Sequence, residues 1–152
     1  MEDASIYARE APLLDRYVQL GYASGKLLSV DFPAQPDEGA DTDHPLLDRI
    51  DTYLDGTDES FTNVDIALTL PTDRRAVVET LRAVEHGQSV TVEALVRTTP
   101  GLDGGSEEDH QTVRAALADN PTPLVIGDHR VRDGPSAAPS DVATRLRSLE
   151  GL

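Results

Sequence analysis

Apolar and polar positions alternate along the first part of the chain, and this period of two predicts β-strands. The alternation covers residues 5–10, 17–20 and 27–32. The segment "ASGK" between the last two runs contains Gly25 and predicts a hairpin turn. Residues 34–44 are acidic and contain proline and glycine, which indicates a solvated loop.

A helical spacing of apolar residues follows that loop. The stripe predicts a helix that ends at Gly56, and a short strand is expected at residues 63–71. The apolar residues of the stripe are Leu46, Leu47, Ile50 and Leu54.

Helices dominate the chain after Pro71. Thr72 is expected to cap a helix that runs to Gly87, and Thr91 is expected to cap a shorter second helix. An acidic, glycine-rich turn at residues 101–106 leads to a third helix, whose capping pattern is Ser106 with Asp109.

The last part of the chain predicts two strands and a helix. Apolar residues 123–126 are expected to form a strand that pairs with residues 129–134, and residues 139–151 are expected to close the chain as a helix. Two helices joined by a turn, followed by a β wing, predict a winged helix-turn-helix, which is a DNA-docking architecture.

Composition excludes several classes of protein. The 152 residues include no cysteine, so no disulfide, thiolate metal site or thiol nucleophile is expected. The four histidines lie far apart without ligand spacing, so we expect neither a metal nor a cofactor. No apolar run is long enough for a membrane span, and no signal peptide is visible. We therefore expect a cytoplasmic protein, and a monomer.

The charge is strongly acidic and unevenly distributed. The net charge is −15, and Lys26 is the one lysine beside twelve arginines. We interpret this balance as halophilic and haloarchaeal, the alternative being an acidic protein that avoids anionic partners. Residues 110–152 hold five acids and five arginines, so a polyanion would more readily meet this C-terminal third.

The triplet Asp128-His129-Arg130 after the predicted strand is the candidate site. Asp128 and His129 could act together in catalysis. Alternatively, they form a hydrogen-bonded pair, or Asp128 pairs with Arg130 or Arg114.

Two motifs carry a resemblance to a known family. Residues 70–95 and 113–131, with "NPTPLVIGDHRV" in the second, resemble the alkylguanine-DNA alkyltransferase family. The N-terminal hairpin and residues 46–61 are similar to the domain that precedes its DNA-binding half. The resemblance implies an α+β protein with a small RNase H-like α/β domain at residues 1–70 and a winged helix-turn-helix domain at residues 71–152.

The resemblance also shows which active residues the chain lacks. The family's acceptor cysteine falls on Asp128, its helix-turn-helix tyrosine falls on Val92, and its relay glutamate falls near Thr144. Without the cysteine the family's transfer reaction is not expected. The DNA-binding residues implied are Gln111, which replaces the family's base-displacing arginine, with Arg114, Asn120 and Arg130; Asn120 is also the family's bracing asparagine.

Three functions follow as hypotheses. The first is a non-catalytic homologue that binds double-stranded DNA, recognises alkylated bases and recruits repair proteins, as cysteine-less members of the family do. The second is a protein-interaction or structural remnant without DNA affinity, favoured by the acids at residues 107–109, which oppose phosphate. The third is an enzyme in which Asp128 forms an ester that water cleaves.

Overall fold

A computed structural model describes residues 4–59, 61–102 and 106–152. The described residues form a three-stranded antiparallel sheet in the order β1-β2-β3, together with five α-helices. The strands are β1 (Ala4–Ala11), β2 (Arg16–Ala23) and β3 (Lys26–Asp31). The helices are α1 (Pro45–Leu54), α2 (Thr72–Leu81), α3 (Val92–Thr98), α4 (Glu107–Ala118) and α5 (Ser140–Glu150).

The predicted hairpin between β2 and β3 is confirmed. Ser24 and Gly25 both adopt positive φ angles, 53° and 78°, which a two-residue turn with the correct strand twist requires. The alternation of side chains then places Leu20 and Leu27, both fully buried, on the core face of the sheet.

Side-chain caps fix the beginnings of three helices. The Thr91 hydroxyl accepts a hydrogen bond from the Ala94 N–H at 3.1 Å, and that of Ser106 accepts one from the Asp109 N–H at 3.4 Å. Both caps were predicted, and both are confirmed. Helix α1 begins with a cap that was not predicted, in which His44 Nδ1 accepts from the Leu46 N–H at 3.0 Å.

Helix α2 is shorter than its sequence predicts. Thr72 is its first helical residue rather than its cap, and the helix ends at Leu81 rather than Gly87. Tight i→i−3 hydrogen bonds, such as that from the Val84 N–H to the Leu81 carbonyl at 3.0 Å, replace the helical ladder there. The Arg82 guanidinium also donates to three carbonyl oxygens of residues 61–64, which ties this turn to the preceding loop.

The three later strands predicted from the sequence are wrong. Each of these segments makes single β-bridges instead of a continuous strand. The segments are residues 63–71, 123–126 and 129–134. Leu124 adopts a positive φ of 77°, which interrupts an extended run, and residues 128–130 coil into a 3₁₀ turn. Within the described residues no strand pair follows α4, so the predicted β wing is not formed. Residues 103–105, which belong to the predicted acidic turn before α4, lie outside the described residues.

Two apolar clusters meet at the segment after α4. The first lies beneath the sheet and α1 and also receives Val125, Val142 and Leu146, so helix α5 packs with the N-terminal half. The second joins α2, α3 and α4 and receives Ile126. The neighbours Val125 and Ile126 therefore face different clusters, and the 3₁₀ turn that follows lies between the two. The division into domains at residue 70 stays a prediction.

Among the described helices, none combines the length and the apolar character that crossing a membrane would need.

Candidate functional site

The candidate site is the 3₁₀ turn Asp128–Arg130, which the structure buries almost completely. The exposed fractions of its three residues are 0%, 1% and 8%. Gly127 precedes the turn, and a Cβ there would lie 3.1 Å from Cδ and Nε of Arg130. Glycine therefore allows the Arg130 side chain to fold back against the backbone.

Asp128 is held by three neutral donors. Its Oδ1 accepts from the Ser136 hydroxyl at 2.5 Å, and its Oδ2 accepts from the Ala137 N–H at 2.9 Å and from the Asn120 amide at 3.2 Å. Burial raises the pKa of the Asp128 carboxyl above its ordinary value, although these bonds and the nearby His129 oppose the shift.

Asp128 does not form the hydrogen bond or the ion pairs that were expected from the sequence. Among the described residues, no hydrogen bond or ion pair joins Asp128 to His129, Arg130 or Arg114. Those two interpretations of the triplet are wrong because the carboxylate points toward the loop before α5, away from the rest of the turn.

Asn120 braces the link between α4 and the turn. Its side-chain amide donates to the Ile126 carbonyl at 3.0 Å as well as to Asp128, and its Oδ1 accepts from the Thr122 N–H at 3.1 Å. With 3% of its surface exposed, Asn120 faces the interior.

Glu150, at the end of α5, is the site residue that sequence reasoning missed. Its Oε2 lies 2.6 Å from His129 Nε2 and 2.5 Å from the Tyr53 hydroxyl, and its Oε1 accepts from Arg130 Nε at 2.8 Å and from the Gly87 N–H at 3.0 Å.

The structure does not bring Thr144, on which the resemblance places the family's relay glutamate, to His129; the carboxylate beside His129 is that of Glu150. Thr144 is exposed, and its hydroxyl donates to the Ser140 carbonyl within α5 at 2.9 Å. The sequence does contain a signal for Glu150. A glutamate in the last turn of a helix opposes the helix dipole and needs a compensating partner.

The surroundings keep Glu150 ionised. Burial alone would raise the pKa of its carboxyl, but the hydrogen bonds from His129, Arg130 and Gly87 outweigh burial and hold that pKa well below the ordinary value. Burial and the charge of Glu150 raise the pKa of the Tyr53 hydroxyl, so Tyr53 stays a neutral donor.

The imidazole of His129 is oriented by Glu150. Because Nε2 faces the ionised Glu150 at 2.6 Å, we assign a ring proton to Nε2. Nδ1 is fully buried and has no hydrogen-bond partner among the described residues. The site thus holds an imidazole oriented by a carboxylate, while the neighbouring carboxylate of Asp128 is engaged by Ser136, Ala137 and Asn120.

Comparisons with known proteins identify the architecture. The Mycobacterium tuberculosis O6-methylguanine methyltransferase superposes with a TM-score of 0.73 over 97% of this chain and 91% of its own, at 18% identity. The fold is that of the O6-methylguanine methyltransferases. The M. tuberculosis protein in complex with DNA gives a TM-score of 0.71 at 17% identity, with the same coverage. The O6-methylguanine-DNA methyltransferase of Pyrococcus kodakaraensis gives 0.54 at 20% identity, over 98% of this chain and 99% of its own.

No protein-family model and no curated protein sequence matches the chain. The likeness therefore rests on the structural matches, and at their low identity it shows the methyltransferase fold alone.

On this methyltransferase fold, the four residues predicted to bind DNA fall into two groups. Gln111 and Arg114 are exposed on α4, where Gln111 Nε2 approaches Glu107 Oε1 at 3.5 Å and Arg114 donates to the Asp133 carbonyl at 3.3 Å. Asn120 and Arg130 are buried, and the guanidinium of Arg130 lies on Glu150. The structure thus brings Asn120 and Arg130 to the Asp128 site and leaves Gln111 and Arg114 outside it.

The described part of the methyltransferase fold shows no group of three or more His, Asp or Glu side chains that could hold a metal ion. An open pocket of about 390 Å³ lies beside the loop at the start of α5. Its wall includes Ser136, Ser140, Thr144 and Arg147, and Asp128 does not line it.

Proposed function

We propose that the chain is a non-catalytic DNA-binding protein built on the methyltransferase fold. The observation that carries the proposal is the state of Asp128, which stands at the position that the sequence resemblance gives to the acceptor cysteine. Asp128 is fully buried and both of its oxygens accept hydrogen bonds, whereas the base His129 and its carboxylate Glu150 are in place.

A carboxylate is a poor substitute for a thiolate as a nucleophile toward a saturated carbon. Attack by Asp128 would produce an ester, and hydrolysis of that ester would make a turnover enzyme. Such an attack would require Asp128 to leave its three donors and reach a substrate. The buried geometry therefore supports a protein that binds without transferring an alkyl group.

DNA is the partner that the fold favours. A solved relative with this fold is in complex with DNA, and α4 exposes Gln111 and Arg114. Counterion-release affinity is small in concentrated salt, so we assign recognition mainly to shape and base contacts. Arg130 is not part of the surface we propose, because its guanidinium is paired with Glu150.

We also propose that the protein recognises alkylated bases. We assign an unstacked base to the open pocket at the start of α5, where Ser140, Thr144 and Arg147 offer polar groups. Repair proteins are the partners that such lesion recognition would imply.

One observation favours the protein-interaction or structural remnant as the second candidate. The first turn of α4 carries Glu107, Glu108 and Asp109, which suit the helix dipole but repel phosphate. On this alternative the exposed face of α4 contacts a protein or nothing.

A gel-shift titration in molar KCl, with plain and O6-alkylguanine-containing duplexes, separates the candidates. We expect a shifted complex that forms more tightly with the alkylated duplex. Arg114→Ala should lower the slope of log affinity against log salt by about 0.9, as expected for one phosphate contact. Lys26→Ala, which removes one positive charge at the β2–β3 turn, is the matched control and should leave the slope unchanged.

Specific gel-shift and mass-spectrometry results would contradict DNA binding, lesion recognition or the lack of catalysis. No complex at micromolar protein would reject DNA binding and favour the remnant. Equal affinity for the two duplexes would reject lesion recognition. Mass spectrometry of the alkylated duplex after incubation should show unchanged guanine adducts, and repair with multiple turnover would reject the non-catalytic assignment.

A further inference from the structure

The donors around Asp128 resemble a receptor for a free carboxylate. A hydroxyl, a backbone N–H and a side-chain amide converge on its two oxygens at 2.5–3.2 Å, and the residue has no exposed surface. The amide follows the end of α4, and the other two donors lie in the loop before α5, so none belongs to the turn that carries Asp128.

Each side-chain donor is also held by a bond that does not involve Asp128. Ser136 Oγ accepts from the Ala138 N–H at 3.1 Å, and the Asn120 amide donates to the Ile126 carbonyl at 3.0 Å. The donors should therefore keep their positions when the carboxylate is removed.

Packing anchors the loop independently as well. Gly134 lies so close to α4 that a Cβ there would stand 2.6 Å from Leu117 Cδ1 and 3.1 Å from Val131 Cγ1. The beginning of the loop is thus fixed against the second apolar cluster without help from Asp128.

We infer that Asp128 is an internal ligand: its carboxylate fills a preformed three-donor site that binds a small free carboxylate once the side chain is shortened. The site belongs to the class that takes formate or acetate. Asp128 is on this view a tether between the 3₁₀ turn and the loop, which goes beyond the proposed function and does not depend on DNA.

The carboxylate that binds best should match in size the part of the Asp128 side chain that the substitution removes. Asp128→Ala removes a carboxylate group, which formate replaces, whereas Asp128→Gly removes a methylene as well, so that acetate replaces the whole side chain. Loss of their partner by the buried Asn120 amide and by the half-buried Ser136 and Ala137 donors should lower the melting temperature of either variant by about 10 °C.

The test is thermal unfolding in molar KCl, with part of the chloride exchanged for formate or acetate at constant ionic strength. Asp128→Ala should regain about half or more of its lost melting temperature in formate along a single-site saturation curve, and Asp128→Gly should respond better to acetate. The unsubstituted protein should not respond, because its site is filled.

Asp133→Ala is the matched control. It also removes an aspartate that accepts a backbone N–H, that of Val92 at 2.8 Å, but Asp133 is exposed and water can replace it. No saturable response of the Asp128 variants, or an equal response of Asp133→Ala, would overturn the inference. Should Asp128→Ala not fold in chloride, refolding in molar formate decides: folded protein supports the internal ligand, and none rejects it.

These results are separable from the proposed function. The formate readout contains no DNA, so its failure would leave the gel-shift result standing. Failure to bind DNA would likewise leave the carboxylate site intact.

Discussion

At the scale of single residues, the site contains two buried carboxylates with opposite surroundings. Glu150 faces a guanidinium, an imidazole N–H and a backbone N–H, which lower the pKa of its carboxyl despite burial. Asp128 faces neutral donors, and burial dominates and raises its pKa. Glu150 is therefore the permanent counter-charge of Arg130, whereas Asp128 is a hydrogen-bond acceptor that connects the turn to the loop.

Replacing Glu150 by glutamine should destabilise the protein strongly. Glu150→Gln keeps the shape but leaves the Arg130 charge buried without its partner, a situation that typically costs about 3–5 kcal/mol. The free energy of unfolding from denaturant titration measures the loss. Asp119→Asn, which removes the exposed ion pair with Arg74, should cost less than about 1 kcal/mol. A loss at Glu150 no larger than that at Asp119 would contradict the assigned role.

At the scale of elements, the beginning of α1 depends on a neutral histidine. His44 Nδ1 accepts the Leu46 N–H, and the ring packs against Tyr7 and Tyr22 with centroids 4.5 Å apart in each case. Burial lowers the pKa of His44 below 6.5, although Asp43 and Asp48 nearby oppose this shift. Protonation of Nδ1 would remove the lone pair that caps the helix.

The stability supplied by His44 should therefore vanish in acid. Because its folded pKa is lower than its unfolded pKa, the contribution is complete above about pH 6.5 and is lost as the pH falls toward the folded value. His44→Asn keeps an oxygen that can cap α1 but does not titrate in this range. We expect the difference in unfolding free energy between the two proteins to shrink as the pH falls from 8 to 5. A constant difference, or one that grows in acid, would contradict this role.

The elements also show what the sequence can and cannot predict. The caps Thr91 and Ser106 were predictable because a cap depends on residues within one turn of the helix. Residues 123–126 were not predictable, because a short apolar run predicts a strand. The positive φ of Leu124 and the bracing by Asn120 depend on tertiary contacts instead.

The candidate site likewise contains residues that the sequence could predict and residues that it could not. The resemblance located Asp128, His129 and Asn120, since they share one motif. Glu150 lies 21 residues from His129, and Tyr53 lies 97 residues from Glu150. Motif spacing does not connect residues so far apart in the sequence, and only the packing of α5 against the first cluster brings these groups together.

At the scale of the whole molecule, the acidic charge is the property that most affects how stability depends on salt concentration. The net charge of −15 comes entirely from residues 1–109, since residues 110–152 are balanced. Repulsion among these charges disfavours the compact state in dilute salt, and the screening length falls from about 10 Å at 0.1 M to about 3 Å at 1 M. The halophilic interpretation stays a prediction, and it has a direct physical consequence.

We expect the unfolding midpoint to rise with KCl concentration and to level off above about 1 M, where exposed charges no longer act on one another. The double variant Glu38→Lys, Asp43→Lys changes two exposed acids of the loop before α1. Each change adds two charges, so the variant carries −11 instead of −15. Its midpoint should exceed that of the unsubstituted protein in dilute salt and converge with it in molar KCl, as followed by thermal unfolding monitored by circular dichroism. A rise that is equally steep in both proteins would assign the salt effect to apolar burial instead of charge, and a midpoint that falls with KCl would reject adaptation to salt.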